Sequence, residues 1–274
     1  VRYGDLTLSK SIWLFDYDGT LCPHREAWEF EAYDPARLCG IFDAFIEQGA
    51  QVFWSTGRSF DSLTKIDESF KKYPGFFEHA SVYWDGKNLE SLNQAKLSES
   101  LVESVKHWVA ARKTWLRFEL KNYSLRLIPL EERFMSRLRS EFGLEFIPPP
   151  NTKYSLHCGW RALELVSEGC EKARALDHLT NKSILSLDTL LCSAGDDYSD
   201  RGLAKSIFNR KGLFCAVGEH CGWVSSLEHK KSQLHYFDDP KGFLEALESV
   251  LVNKSFEVFK PKLKPLNKIV SLSK

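Results

Sequence analysis

The stretch Phe15-Asp16-Tyr17-Asp18-Gly19-Thr20-Leu21 follows directly on the apolar run Ile12-Trp13-Leu14 and decides how the chain is read. An apolar run closed by acidic residues and a glycine predicts a buried strand ending near Phe15. Ligands of open α/β sheets bind at such carboxyl ends. Two carboxylates one residue apart in extended chain point to the same side, so Asp16 and Asp18 can address one reacting group. Gly19 lets the backbone turn tightly. A chance D-x-D-G-T match is expected at roughly 10⁻³ over a chain of this size, which leaves a capped surface turn as the minor reading.

Outward from that strand, Leu38, Ile41, Phe42, Phe45 and Ile46 repeat at helical spacing, with Asp34 as N-cap, Pro35 as first helical residue and Gly49 as stop. Gln51-Val52-Phe53-Trp54 predicts the next strand, and Ser81-Val82-Tyr83-Trp84 a third, closed by Asp85-Gly86. This alternation is that of a Rossmann-like parallel sheet with helices on both faces. From 88 to 164 the texture changes to a helix (98–113), an alternating hairpin, a second helix (131–142) and further strands. In the hairpin, Arg117, Glu119 and Lys121 share one face and Phe118 and Leu120 the other. The alternation then resumes with a helix after Gly169, a strand at 190–193, a helix from Asp200, a strand at 212–217 and a last helix opening at Asp239-Pro240. The expected class is α/β with an inserted α+β unit: a core of 1–87 and 165–252, an insert of 88–164 and a basic tail of 253–274.

Three further segments carry chemistry. Gly195-Asp196-Asp197-Tyr198-Ser199-Asp200 places acidic residues at another strand end. Facing Asp16 and Asp18 they would repel one another without a cation, and hard oxygen donors suit Mg²⁺; the same run also reads as an acidic helix N-cap. Ser55-Thr56-Gly57-Arg58 offers hydroxyls, backbone N–H groups and a guanidinium, the makings of a phosphate cradle. Lys172 stands at a helix start, where a lysine is ordinarily just solvated.

The 274 residues carry 37 basic and 37 acidic side chains. Zero net charge argues against nucleic acid as a partner. No stretch is long and apolar enough for a membrane span, and the start has no secretory pattern. Seven cysteines without metal spacing or a C-x-x-C pair read as small buried hydrophobes in a reducing, cytoplasmic setting. The neutrality is an average: residues 253–274 hold six lysines and one acid, so the remainder is net −5. Met135 is the only methionine, so the chain begins without an initiator, which keeps a segment of a larger synthase-phosphatase chain or complex among the expectations.

The order Asp-x-Asp-Gly-Thr, strand-end Thr56, Lys172 and the Gly-Asp-Asp-x-x-Asp run resembles the haloacid dehalogenase-like phosphohydrolases over residues 11–250. The insert stands where their α+β cap is found. The resemblance implies Asp16 as nucleophile forming an aspartyl-phosphate, and Asp18 as general acid and then base. It implies Thr56 and Lys172 on the phosphoryl oxygens, and Mg²⁺ held by Asp16, the Asp18 carbonyl and Asp196, with Asp200 and Asp197 behind. Asp16 to Pro23, Thr56-Gly57-Arg58, Glu119-x-Lys121-x-x-Ser124 and Leu163-Glu164-Leu165 look like the trehalose-6-phosphate phosphatases and related sugar phosphatases. On that likeness Glu119, Lys121 and Glu164 would bind sugar hydroxyls, with a solvated face as the alternative, and Arg58 would assist at the phosphate. Two positions depart from that group: Ile128-Pro129-Leu130 stands where a His-Tyr-Arg triplet is usual, and Ala173 replaces a glycine.

The expected activity is Mg²⁺-dependent hydrolysis of a sugar phosphate, trehalose 6-phosphate first. Glucosylglycerol phosphate, sucrose phosphate, mannosylphosphoglycerate and hexose phosphates stand as alternatives. A phosphomutase, with Arg117 and Arg126 facing the site, and a non-catalytic regulatory module stand behind these. Trp115, Phe118, Tyr123 and Trp160 are a candidate aromatic platform, or part of the core.

Overall fold

The computed structural model describes residues 8–23, 34–159, 161–254 and 259. Four strands expected to be buried, β1 (Ser11–Phe15), β2 (Gln51–Ser55), β10 (Leu190–Gly195) and β11 (Leu213–Val217), build one sheet with β3 (Gly75–Phe77) and β12 (Leu234–Phe237). Its order is β12-β11-β10-β1-β2-β3, every pair parallel, and it is extended antiparallel by β4 (Val82–Trp84) and β5 (Leu89–Ser91). The period-2 rule sorts the side chains. Trp13, Phe15, Val52, Trp54, Cys215 and Val217 pack on one face with α1 (Pro35–Glu47) and α7 (Pro240–Asn253). Ile12, Leu14, Phe53, Phe214 and Ala216 pack on the other with α5 (Arg174–Asn181) and α6 (Arg201–Asn209). Both faces are dry, which is why these strands read as unbroken apolar runs.

Local signals act as expected. The Asp34 side chain accepts from Ala36 N at 2.8 Å ahead of Pro35, and Gly49 takes φ +87° at the exit of α1. Asp239 accepts from Gly242 N at 2.7 Å at the start of α7.

The segment at 81–84 needs correction: it is the antiparallel strand β4, and the third parallel strand is the short Gly75-Phe76-Phe77. Pro74-Gly75 reads as a break in sequence, yet here the glycine lets β3 lie against β2. A Cβ at Gly75 would stand 2.5 Å from Trp54 Cβ.

The insert folds as a four-stranded antiparallel sheet, β6 (Leu116–Leu120), β7 (Ser124–Pro129), β9 (Leu163–Ser167) and β8 (Tyr154–Cys158), in that order. It packs against α3 (Glu99–Ala110) and α4 (Met135–Glu145) around Leu116, Leu125, Leu127, Leu138 and Leu165. Since β5 belongs to the larger sheet and all of β9 to the smaller, the chain crosses between them slightly later than the composition changes at 87/88 and 164/165. Phe118 and Leu120 share the apolar face but lie on the edge strand β6 and stay exposed. Trp115 and Tyr123 are buried in core clusters and form no platform; Trp160 lies outside the described residues.

All seven cysteines are free and five are buried. No helix among the described residues is long and apolar enough to cross a membrane. Most of the basic tail lies outside the described residues; Phe259, within it, is buried against Trp13, His235 and Phe237.

Phe42 is fully buried and meets Phe15, Trp54 and Tyr73. Phe42→Ala is expected to cost about 3–5 kcal/mol through the cavity it leaves, read as a lowered urea midpoint at unchanged m-value.

Candidate active site

The carboxyl ends of β1, β2 and β10 meet at one point. Asp16 follows β1, Thr56 follows β2, and Asp196 follows β10. Lys172 sits in the turn before α5, buried, with Nζ 2.9 Å from Asp16 Oδ2 and 2.7 Å from Asp200 Oδ1. Ligand oxygens of Asp16, Asp196 and Asp200 all lie within 4.8 Å of one another. Gly195 makes this packing possible, because a Cβ there would fall 2.3 Å from Asp200 Cγ.

Electrostatics follow from burial. Desolvation works against the charge on Lys172, but Asp16 and Asp200 outweigh it and the ammonium is held charged above its usual range. Burial, together with Asp16, Asp197 and Asp200, pushes the Asp196 carboxyl well above the ordinary carboxylate range. Burial raises Asp200 as well, with Lys172 opposing. Three buried carboxylates against one lysine leave an excess of negative charge, and the donors are hard oxygens. These residues fit a divalent cation such as Mg²⁺.

Asp18 and Arg58 differ from the expected arrangement. Arg58 Nε and Nη2 donate to both Asp18 oxygens at 2.6 Å, and Nη1 donates to Ser62 Oγ at 3.2 Å. The guanidinium expected at a phosphate is thus spent largely on Asp18. Thr56 Oγ1 accepts from Arg58 N at 3.1 Å.

A cavity of about 490 Å³ opens over this point, floored by Asp16, Asp18, Thr56, Lys172 and Asp196 and roofed by the smaller sheet. Asp200 lies behind the floor, and Asp197 caps the turn at Tyr198–Asp200. Glu119, Lys121 and Glu164 all reach the cavity. Lys121 Nζ donates to Glu164 Oε1 and, across to the larger sheet, to the Gly57 carbonyl, both at 2.8 Å. Ser124 Oγ donates to Glu164 Oε1 at 2.7 Å. Burial would raise the Glu164 carboxyl, but Lys121 and His79 together hold it well below the usual range.

Sequence reasoning missed several of these groups. His79 is buried, 3.1 Å from Glu164 Oε2 but without hydrogen-bond geometry. His157 faces it edge-on at 5.2 Å, and burial with His79 lowers its imidazole to about 4, so it is neutral at pH 7. Glu78, His79 and Ala80 occupy consecutive left-handed conformations, φ +48°, +55° and +61°. That turn lets Glu78 accept from Tyr123 N at 2.8 Å and Asn122 Nδ2 at 3.2 Å, joining the two sheets. Recognising Gly75–Phe77 as a strand would have placed Glu78 and His79 at its carboxyl end.

With this geometry in view, solved structures align over nearly the whole chain. A trehalose-6-phosphate phosphatase related protein matches with a TM-score of 0.59 and 19% identity, over 89% of this chain and 98% of its own. The C-terminal domain of C. albicans trehalose-6-phosphate phosphatase matches with a TM-score of 0.62 and 17% identity, over 89% of this chain and 92% of its own. The chain has the haloacid dehalogenase-like fold. A haloacid dehalogenase-like hydrolase from Bacteroides thetaiotaomicron shares it, with a TM-score of 0.59 and 15% identity, over 88% of this chain and 99% of its own. No family model and no curated protein matches the sequence. In haloacid dehalogenase-like terms the larger sheet is the core and the smaller sheet stands in the position of the cap.

Glu164→Gln leaves the Lys121 ammonium without its carboxylate in a buried setting, with only the Gly57 carbonyl and a neutral amide as acceptors, and a loss of about 3 kcal/mol is expected near neutral pH. A depressed carboxyl contributes stability above its unfolded pKa and loses it as pH falls toward the folded value. The stability gap between wild type and E164Q should therefore be full near neutral pH and narrow as pH falls below the ordinary glutamate value of about 4.3, measured by urea unfolding at each pH.

Proposed function

We propose that the protein is a Mg²⁺-dependent phosphomonoesterase acting on sugar phosphates through an aspartyl-phosphate. The observation that carries this is the buried contact of Lys172 with Asp16, beside the Asp16, Asp196 and Asp200 oxygens, at the floor of a cap-roofed cavity. An unshielded carboxylate attacks an anionic phosphate poorly, and a fixed ammonium next to it offsets the charge that builds on the phosphoryl oxygens.

In the first step an Asp16 oxygen bonds to phosphorus as the ester P–O bond breaks, and Asp18 gives a proton to the departing alkoxide. In the second, Asp18 takes a proton from water, whose oxygen bonds to phosphorus; the acyl-phosphate bond breaks, and inorganic phosphate and free Asp16 result. Asp16, Asp196 and the backbone at Asp18 would hold Mg²⁺, with Asp200 behind. When bound, the cation supplies charge neutralisation at the phosphoryl group. Arg58 keeps Asp18 oriented between turnovers, and Thr56 donates to a phosphoryl oxygen. Glu119, Lys121 and Glu164 are the proposed contacts for hydroxyls of the leaving group. Trehalose 6-phosphate heads the neutral sugars to be tried, because proteins of that name share the fold.

Phosphate release from sugar phosphates should need Mg²⁺, cease with EDTA, and fall to background in Asp16→Asn. Asp18→Asn should lower kcat by roughly 10²–10⁴. Undiminished release from the Asp16 variant would overturn the mechanism. Mg²⁺ should also raise the melting temperature of wild type, and Asp196→Asn should remove most of that rise.

A further inference from the structure

The cavity-facing side of the cap sheet carries two arginines that its carboxylates do not closely pair. Register aligns Glu119, Arg126, Glu164 and His157 in one row across β6, β7, β9 and β8. On the same face Arg117 stands opposite Ile128, which makes it a diagonal neighbour of Arg126. Such neighbours are about 7–8 Å apart, within reach of two long side chains for one ligand group.

Glu164 does not pair closely with Arg126: Lys121 and Ser124 hold its Oε1, and His79 stands 3.1 Å from its Oε2. Arg126 Nε lies 3.9 Å from Glu164 Oε2, and this buried nitrogen has no hydrogen-bond partner. Arg117 makes no ion pair among the described residues and is exposed toward the cavity it lines. Arg117 and Arg126 thus face the cavity without a close carboxylate partner of their own, while Lys121 is held by Glu164. Where the related sugar phosphatases place a His-Tyr-Arg triplet, this chain offers Ile128, Pro129 and Leu130 as cavity wall. Arg117 and Arg126 carry guanidinium groups, which chelate oxyanions in a plane.

We infer that the substrate carries a second oxyanion, a phosphate or a carboxylate, at the end remote from the scissile phosphate, held by Arg117 and Arg126. This rests on the phosphatase reading and narrows its substrate class. A bound oxyanion completes the hydrogen bonding of Arg126 Nε and supplies a counter-charge to Arg117, whereas a neutral hydroxyl can do only the first. The apolar wall at Ile128 and Leu130 then faces the carbon body between the two anionic ends.

The test is steady-state hydrolysis by the whole chain with Mg²⁺. Trehalose 6-phosphate and glucose 6-phosphate represent neutral bodies, 6-phosphogluconate a carboxylate, and glucose 1,6-bisphosphate a second phosphate. At least one of the last two should exceed both neutral esters in kcat/KM by roughly tenfold or more. Whichever does so identifies the oxyanion. Arg117→Ala and Arg126→Ala should each remove most of that preference, chiefly through KM, and Arg126→Lys should restore only part of it. Arg117 is exposed on an edge strand, so its variant tests the idea even if Arg126→Ala fails to fold. Equal or better turnover of the neutral esters would overturn the second-oxyanion inference and leave the phosphatase standing. No Asp16-dependent hydrolysis of any of the four would overturn the phosphatase reading, and the inference with it.

Discussion

Lys172 is a buried ammonium whose two close partners, Asp16 and Asp200, come from elements far apart in sequence, and much of the site's architecture serves to satisfy that charge. A lysine this enclosed is tolerable only with carboxylates in contact, and carboxylates this enclosed are tolerable only with a cation. The parallel core meets both demands by bringing the ends of β1 and β10 to the turn that carries Lys172. Gly195 removes the side chain that would hold Asp200 away. The remaining negative charge is what gives the site its fit to a divalent metal.

The cap is joined to this centre by a second set of polar contacts. Lys121 reaches from β6 across to the Gly57 carbonyl, and Glu78 reaches from the left-handed turn after β3 to the backbone of Tyr123. Both groups that cross are charged and largely buried, and beside them Tyr123, Val166 and Cys170 pack against Val82 in a small apolar cluster. Glu164 accepts from Lys121 and Ser124, and the charge of Lys121 beside it is therefore structural.

Much of the core was legible in sequence. Asp34-Pro35 and Asp239-Pro240 opened helices because an acceptor followed by a residue without N–H satisfies a helix start in any context. The apolar runs at 11–15, 51–55, 190–195 and 213–217 were strands because both faces of a parallel sheet are dry. The strand at Gly75–Phe77 was not legible: its three residues carry no period, and its glycine is explained only by the closeness of Trp54. Phe118 and Leu120 were read as apolar-facing, which they are, but burial depends on a strand's position in its sheet, and β6 is an edge.

The chain's local chemistry by itself determined the residues of the candidate site: strand-end carboxylates, a strand-end hydroxyl and an acidic run are patterns of adjacent residues, and adjacency is what a sequence records. Tertiary structure alone decided who pairs with whom. It turned Arg58 onto Asp18, enclosed His79 beside Glu164, and set Arg117 and Arg126 on one wall of the cavity. Those outcomes depend on strand register and on a left-handed turn between short strands, and both are fixed by packing between segments that no local pattern connects.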